Sequence, residues 1–142
     1  MVAIFVALVA VVIGFFLLFP SLKKSPPSLN IPLATPGIEE QIEQKFGGLD
    51  IPEDVEKIEL KNVSGDEGIG IATRSEILAD LPDLGRGESY QVLLSDGSKT
   101  ILLGNLRLAK GGYILEYDSS KYPEFDQIII VKGSKRILEG SF

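Results

Sequence analysis

The pattern of apolar and polar positions divides the chain into an apolar start, a proline-rich stretch and a longer region of short alternations. Residues 2–19 contain only Val, Ala, Ile, Phe, Leu and the single Gly14. At about 1.5 Å per residue a helix over this segment would span roughly 27 Å, close to the hydrocarbon thickness of a bilayer. We therefore predict a transmembrane anchor at residues 1–19.

A cleaved signal peptide is the main alternative for this segment. Signal peptides have an apolar core of about 7 to 15 residues followed by a small-residue cleavage site, whereas Phe19 and Pro20 come next here. A buried soluble helix fits less well, because no position is polar enough to face water. We expect the segment to be retained and to hold the chain in membrane lipid as a single-pass protein.

The sequence gives conflicting indications about the side of the membrane. Lys23 and Lys24 follow the apolar segment and only Met1 precedes it, which by the positive-inside rule favours a cytoplasmic C-terminal domain. We nevertheless predict an extracytoplasmic domain, on the hypothesis that the true start codon lies upstream of a short basic segment.

Residues 20–36 are predicted to be a linker, because their prolines remove backbone donors and restrict φ. After them Ile38, Ile42 and Phe46 recur every four residues, which predicts a short amphipathic helix at residues 37–48. Its first turn is acidic, its last turn carries a lysine, and two glycines end it. We expect the helix to pack on the following domain; the alternative is a partly helical linker, since so short a helix is marginal alone.

Residues 49–142 are predicted to form an all-β domain, an antiparallel immunoglobulin-like, Greek-key β-sandwich of about seven strands. Short alternating segments are separated by Gly, Asp and Ser, with no helical spacing between them. The best-defined pairing joins residues 90–94 to residues 100–103, because an Asp-Gly pair between them supplies the positive φ angles of a tight turn. Residues 128–131 are apolar on both faces, which predicts a central strand.

Composition excludes most familiar active sites. The 142 residues include no His, Cys or Trp, which rules out a His-based triad, a thiolate nucleophile, a Cys/His zinc site and a disulfide framework. The net charge of -6 falls entirely after the apolar segment, and an acidic domain repels phosphate backbones, so no nucleic-acid partner is expected. We predict no catalytic residue, no cofactor and no metal ion.

Two acidic turns are the candidates for binding a hard cation such as Ca²⁺. One contains Asp66 and Glu67 between glycines, and the other contains Asp50, Glu53 and Asp54. Calcium takes about six to eight oxygen ligands, and neither turn supplies that number. Gly and Asp are also the usual residues of turns, so exposed acidic turns are the favoured interpretation.

Three other motifs are predicted to be structural. Ser21 and Lys24 have a Ser-x-x-Lys spacing, but a linker offers no pocket to desolvate the lysine. Asn62 and Ser64 match a glycosylation sequon by pattern only. Two glycine pairs lack the third glycine and the strand-turn-helix setting of a phosphate loop and are predicted to be turns: Gly68 with Gly70, and Gly85 with Gly87.

The exposure of the tyrosine rings would discriminate between two functions. At strand spacing they are more often core residues or cross-strand pairs than a sugar-stacking surface. An exposed aromatic face would favour a carbohydrate- or cell-wall-binding protein, which is the alternative function; buried rings would weaken it. The residues concerned are Tyr90, Tyr113, Tyr117 and Tyr122.

Several segments of the β-region carry a family resemblance: Gly-Ile-Gly-Ile-Ala-Thr-Arg at 68–74, Leu-Ala-Asp-Leu-Pro at 78–82, Gly-Glu-Ser-Tyr-Gln-Val-Leu-Leu at 87–94, Leu103-Gly104 and Gly112-Tyr113. In this order they resemble the extracytoplasmic C-terminal domain of anti-sigma-K-type membrane proteins, and the chain also resembles small anchored bacterial envelope proteins. In that family a Leu-Pro segment precedes a Tyr-containing strand, and a late strand closes the sandwich. The resemblance covers about residues 55–142 and implies a β-sandwich at a bacterial cell membrane.

The resemblance also limits the function. Regulators of that family carry a cytoplasmic sigma-binding domain before the span, and only Met1 precedes it here, so we expect this chain alone not to hold a sigma factor. A hydrolase would need two carboxylates about 5 to 10 Å apart in a cleft, and the sequence offers no such pair. The sequence therefore predicts a non-enzymatic module that senses or binds another envelope protein.

Overall fold

The computed structural model describes residues 35–109 and 111–142. Within them lie helix α1 (Ile38–Lys45), a 3-10 turn (Ser119–Lys121) and nine strands: β1 Lys57–Asn62, β2 Ile69–Thr73, β3 Glu76–Asp80, β4 Tyr90–Ser95, β5 Thr100–Asn105, β6 Arg107–Ala109, β7 Gly112–Glu116, β8 Gln127–Lys132 and β9 Lys135–Ser141. The predicted anchor and residues 20–34 of the predicted linker lie outside the described residues. No helix in the described ranges is long and apolar enough to cross a bilayer.

The strands pair antiparallel into one nine-stranded sheet in the order β5-β4-β8-β9-β1-β2-β3-β7-β6. The two strands at its ends, β5 and β6, are consecutive in the chain and are separated only by Leu106. A sheet whose two ends meet at one residue must curl back on itself. The described sheet is therefore nearly closed, with its core inside.

Strand β1 joins two half-sheets. Its residues 57–60 pair with β2, whereas Lys61 and Asn62 pair with β9. We call β1, β2, β3, β7 and β6 the first half-sheet and β5, β4, β8 and β9 the second. The junction is tight, because a Cβ added to Gly140 of β9 would lie 2.8 Å from the carbonyl oxygen of Glu59.

The main core lies between the half-sheets and takes side chains from both. Leu60, Ile77 and Ala79 of the first half-sheet pack in one cluster with Val92 and Ile130 of the second. Each of these five side chains is fully buried. Shared burial of this kind makes the two half-sheets one folding unit.

Helix α1 covers the outer face of the first half-sheet. Ile42 and Phe46 pack there against Ile71 and Leu78, in a cluster separate from the main core. Gly112 of β7 permits this packing, since a Cβ at that position would overlap the Phe46 ring. The predicted helix and its packing on the domain are thus confirmed.

The all-β class is confirmed, and the strand count differs from the prediction of about seven. One strand that the sequence pattern did not predict is β3. Its central residues Ile77, Leu78 and Ala79 are all buried, because the main core covers one face and α1 covers the other. A strand covered on both faces shows no alternation of apolar and polar positions.

The two best-defined strand predictions are confirmed. Strands β4 and β5 form the expected hairpin. In its turn Gly97 has a positive φ of 89°, and the Asp96 carboxylate accepts from the backbone N–H groups of Ser98 and Lys99. Strand β8 pairs with both β4 and β9. All four of its apolar residues are buried, as expected for a central strand.

Candidate interaction surface at one end of the domain

Three connections meet at one end of the domain: the β1–β2 loop, the β3–β4 loop and the β8–β9 turn. Cavities of about 420, 460 and 570 Å³ lie side by side among them. The first two share Glu67 and Pro82, and the last two share Asp66 and Lys132. We call this continuous depression the loop-end groove, defined by Lys45, Asp66, Glu67, Pro82, Glu88, Lys132 and Lys135.

Two ion pairs cross the loop-end groove. The Lys135 ammonium lies 2.6 Å from an Asp66 carboxylate oxygen, and the Lys132 ammonium lies 2.9 Å from Glu88. The hydrogen bond from each lysine lowers the pKa of its partner, Asp66 in one pair and Glu88 in the other. The groove thus presents both signs of charge, and its two paired carboxylates are held in their ionised form at neutral pH.

Asn62 shapes one wall of the groove. Its side-chain amide N–H groups donate to the carbonyls of Asp66 (2.6 Å) and Gly68 (3.3 Å). Its carbonyl oxygen accepts from the backbone N–H groups of Ser64 and Gly65. Attachment of a sugar to this nitrogen would remove a donor from the loop, so the structure gives the sequon asparagine a structural role.

The carboxylates of the two acidic turns are paired with a lysine or exposed to solvent. Asp66 is bound to Lys135, while Asp50, Glu53 and Asp54 are exposed between α1 and β1. In the residues described, no group of three or more His, Cys, Asp or Glu side chains has an arrangement that could hold a metal ion. The favoured interpretation of these segments as exposed acidic turns agrees with their positions.

Three of the four paired glycines lie in loops, and one lies in a strand. Gly85 and Gly87 lie in the β3–β4 loop, where Gly87 has a φ of 83°. Gly70 is instead buried within β2, and the prediction of a turn there is wrong. A Cβ at Gly70 would lie 3.0 Å from a Leu138 methyl carbon and 3.1 Å from the Leu78 carbonyl oxygen, so its role is close packing. Ser21 and Lys24 lie outside the described residues.

The tyrosines belong to the core. Tyr90 and Tyr113 are 2% and 4% exposed, and their rings meet edge to face with centroids 5.0 Å apart. Both hydroxyls donate to the Pro82 carbonyl, and the Tyr117 hydroxyl donates to the Thr73 carbonyl. Burial raises the pKa of Tyr90 and of Tyr117. Tyr122 is half-buried against the core, so these rings form no sugar-stacking face.

Sequence reasoning missed the residues that make the groove. Lys132 and Lys135 flank the β8–β9 turn, which has a local signal, whereas Asp66 and Glu88 lie in the β1–β2 and β3–β4 loops. The sequence also gives no sign that two tyrosine hydroxyls donate to the Pro82 carbonyl and thereby hold the β3–β4 loop. Both features depend on which strands are neighbours in the sheet.

Comparison with known proteins gives no match: no family model, curated protein or solved structure is significantly similar to this chain.

Proposed function

We propose that this chain is a non-enzymatic, single-pass membrane protein of the bacterial envelope whose extracytoplasmic domain senses or binds another protein. The apolar segment at residues 1–19 and the proline-rich linker at 20–36 support an anchored domain held away from the bilayer. The two half-sheets correspond, in this proposal, to the layers of the immunoglobulin-like sandwich. The relation to anti-sigma-K-type proteins rests on the resemblance of residues 55–142.

The observation that carries the proposal is the paired charge of the loop-end groove. Its four charged partners are partly exposed, and exposed ion pairs are weak enough to exchange for the charges of a partner protein. General acid–base catalysis instead favours groups whose pKa values lie near neutrality. Asp66 and Glu88 have their pKa values lowered, away from neutrality, which suits binding better than catalysis.

Photocrosslinking in cells tests the proposal. A photoreactive amino acid replaces Glu67 in the full-length chain. A matched control replaces Lys121 of the 3-10 turn, which is 71% exposed and lies near Arg74, beyond the end of β2 that is far from Glu67. We expect a discrete crosslinked envelope protein from the Glu67 position alone, and we expect charge reversal at Lys132 and Lys135 to abolish it. Equal crosslinking from both positions, or none from Glu67, would contradict the proposal.

A further inference from the structure

Strand β5 has a free edge within the described part of the chain. Among the described residues it pairs with β4 only. The backbone N–H of Asp96 donates to the Lys99 carbonyl at 3.2 Å, and hydrogen-bonded pairs alternate with non-bonded pairs along an antiparallel ladder. Thr100 and Leu102 therefore direct their N–H and C=O groups away from β4, where another strand can reach them.

The two edges of the sheet differ in how well they are blocked. Strand β6 is three residues long and begins with a charged residue, Arg107. Strand β5 is six residues long and contains no charge and no proline, and those are the usual devices against strand addition. Its one irregularity is a bulge next to the Leu93–Leu102 pair. The first part of β5 is thus the more open template.

An apolar row ends at this edge. Leu102 lies opposite Leu93, and Leu93 lies opposite Ile129, so the three side chains point to one face of the second half-sheet. Ile129 is 1% exposed and Leu102 is 58% exposed. A strand added beside β5 would extend this row with the residue that it places opposite Leu102.

Two cations, Lys99 and Arg107, lie at the two ends of this edge, in a chain with a net charge of -6. Asp96 of the preceding turn accepts from the Lys99 backbone N–H at 2.6 Å. Arg107 lies near Glu116, whereas Lys99 forms no ion pair within the described part of the chain and lies 6.0 Å from the Phe125 ring centroid. Lys99 is therefore the group that an incoming carboxylate would meet.

We propose that β5 binds an extended segment of another protein by antiparallel strand addition. The segment carries an apolar residue opposite Leu102 and, three residues later, a carboxylate opposite Lys99. This inference goes beyond the proposed function, because it assigns a second contact site that is separate from the loop-end groove. A second copy of the chain fits less well, because pairing centred on Leu102 would place Asn105 rather than a carboxylate opposite Lys99.

Hydrogen–deuterium exchange of the full chain in nanodiscs of zwitterionic lipid tests this inference. The probe is a synthetic peptide of about ten residues, alternating threonine and isoleucine, with one glutamate three positions after its central isoleucine. We expect slower exchange at residues 99–105 when it binds. A control peptide with lysine in place of glutamate should bind about threefold to fivefold more weakly, since one exposed attraction becomes a repulsion.

Two exposed leucines provide matched variants. Leu102→Lys on β5 should abolish the peptide effect, and Leu108→Lys on β6, where the leucine is 65% exposed, should leave it unchanged. No slowing with the wild-type chain, equal binding of both peptides, or equal loss in both variants would overturn the inference. Slowing at 99–105 by anionic-lipid nanodiscs without peptide would also overturn it, in favour of a membrane-docking edge. If the Glu67 crosslink fails while β5 still binds the peptide, only the proposed binding role of the loop-end groove is contradicted.

Discussion

The outer faces of the two half-sheets are completed in different ways. On the first, Ile71 and Leu78 lie beneath Ile42 of helix α1 and Phe46, which directly follows the helix, so that the chain covers its own apolar surface. On the second, the apolar row continues to the free edge and ends at Leu102, which is 58% exposed. Similar apolar patterns thus serve stability in one half-sheet and offer a contact surface in the other.

Truncation of one large apolar residue on the outer face of each half-sheet should separate these roles most strongly. Phe46→Ala removes a side chain that is 3% exposed, and we expect it to lower the free energy of unfolding by about 3 to 5 kcal/mol. Leu102→Ala removes a mostly exposed side chain and should cost less than about 0.5 kcal/mol. Chemical denaturation of the full chain measures both, and equal losses would refute the distinction.

A smaller effect is expected from Gly112→Ala, which adds a methyl group under the helix. The new Cβ would overlap the Phe46 ring, and overpacking of this kind costs about 1 to 3 kcal/mol. In the Phe46→Ala background the added penalty should largely disappear, because the clashing ring is gone. A double-mutant cycle measures the coupling, and simple additivity would show that α1 does not pack on β7 as described.

The smallest effects concern pH, and they should have opposite signs in the two half-sheets. In the first, burial and the facing Glu116 raise the pKa of Glu76. Its folded form favours the proton, so the penalty is present at neutral pH and fades as pH falls through the raised pKa. Glu76→Gln should therefore stabilise the chain at pH 7 and flatten this part of the pH profile.

The opposite case is Glu88 of the β3–β4 loop, which pairs with Lys132 of β8 in the second half-sheet. The hydrogen bond from Lys132 lowers its pKa, so its stabilisation is present above the ordinary glutamate pKa and is lost as pH falls through the lowered value. Glu88→Gln should destabilise the chain slightly at pH 7. Melting temperatures of both variants across the acid range provide the test, and shifts of the same sign would contradict these assignments.

Local patterns in the sequence predicted the elements that local forces determine. The four-residue spacing of Ile38, Ile42 and Phe46 predicted α1 and its packing, and the Asp-Gly turn predicted the β4–β5 hairpin. The apolar run at residues 128–131 predicted a central strand. In each case the signal lies within one element or one turn, where propensity and periodicity apply directly.

Features that depend on distant pairing were not predictable in this way. Strand β3 was not predicted, because each of its faces packs against a different apolar cluster. Gly70 was assigned to a turn, because its contact with Leu138 is remote in sequence. The groove brings Asp66 to Lys135 and Glu88 to Lys132 only through the sheet order. Near-closure of the sheet likewise depends on the order of all nine described strands, for which no single segment carries a signal.

The most direct test of the central proposal is the position of the domain relative to the membrane. The chain contains no cysteine, so Lys121→Cys, at a site 71% exposed, gives a single thiol for a membrane-impermeant maleimide. We predict labelling of the full-length, membrane-bound chain in cells whose cytoplasmic membrane is intact. Labelling only after that membrane is broken, or recovery of the chain in the soluble fraction, would contradict an anchored extracytoplasmic module.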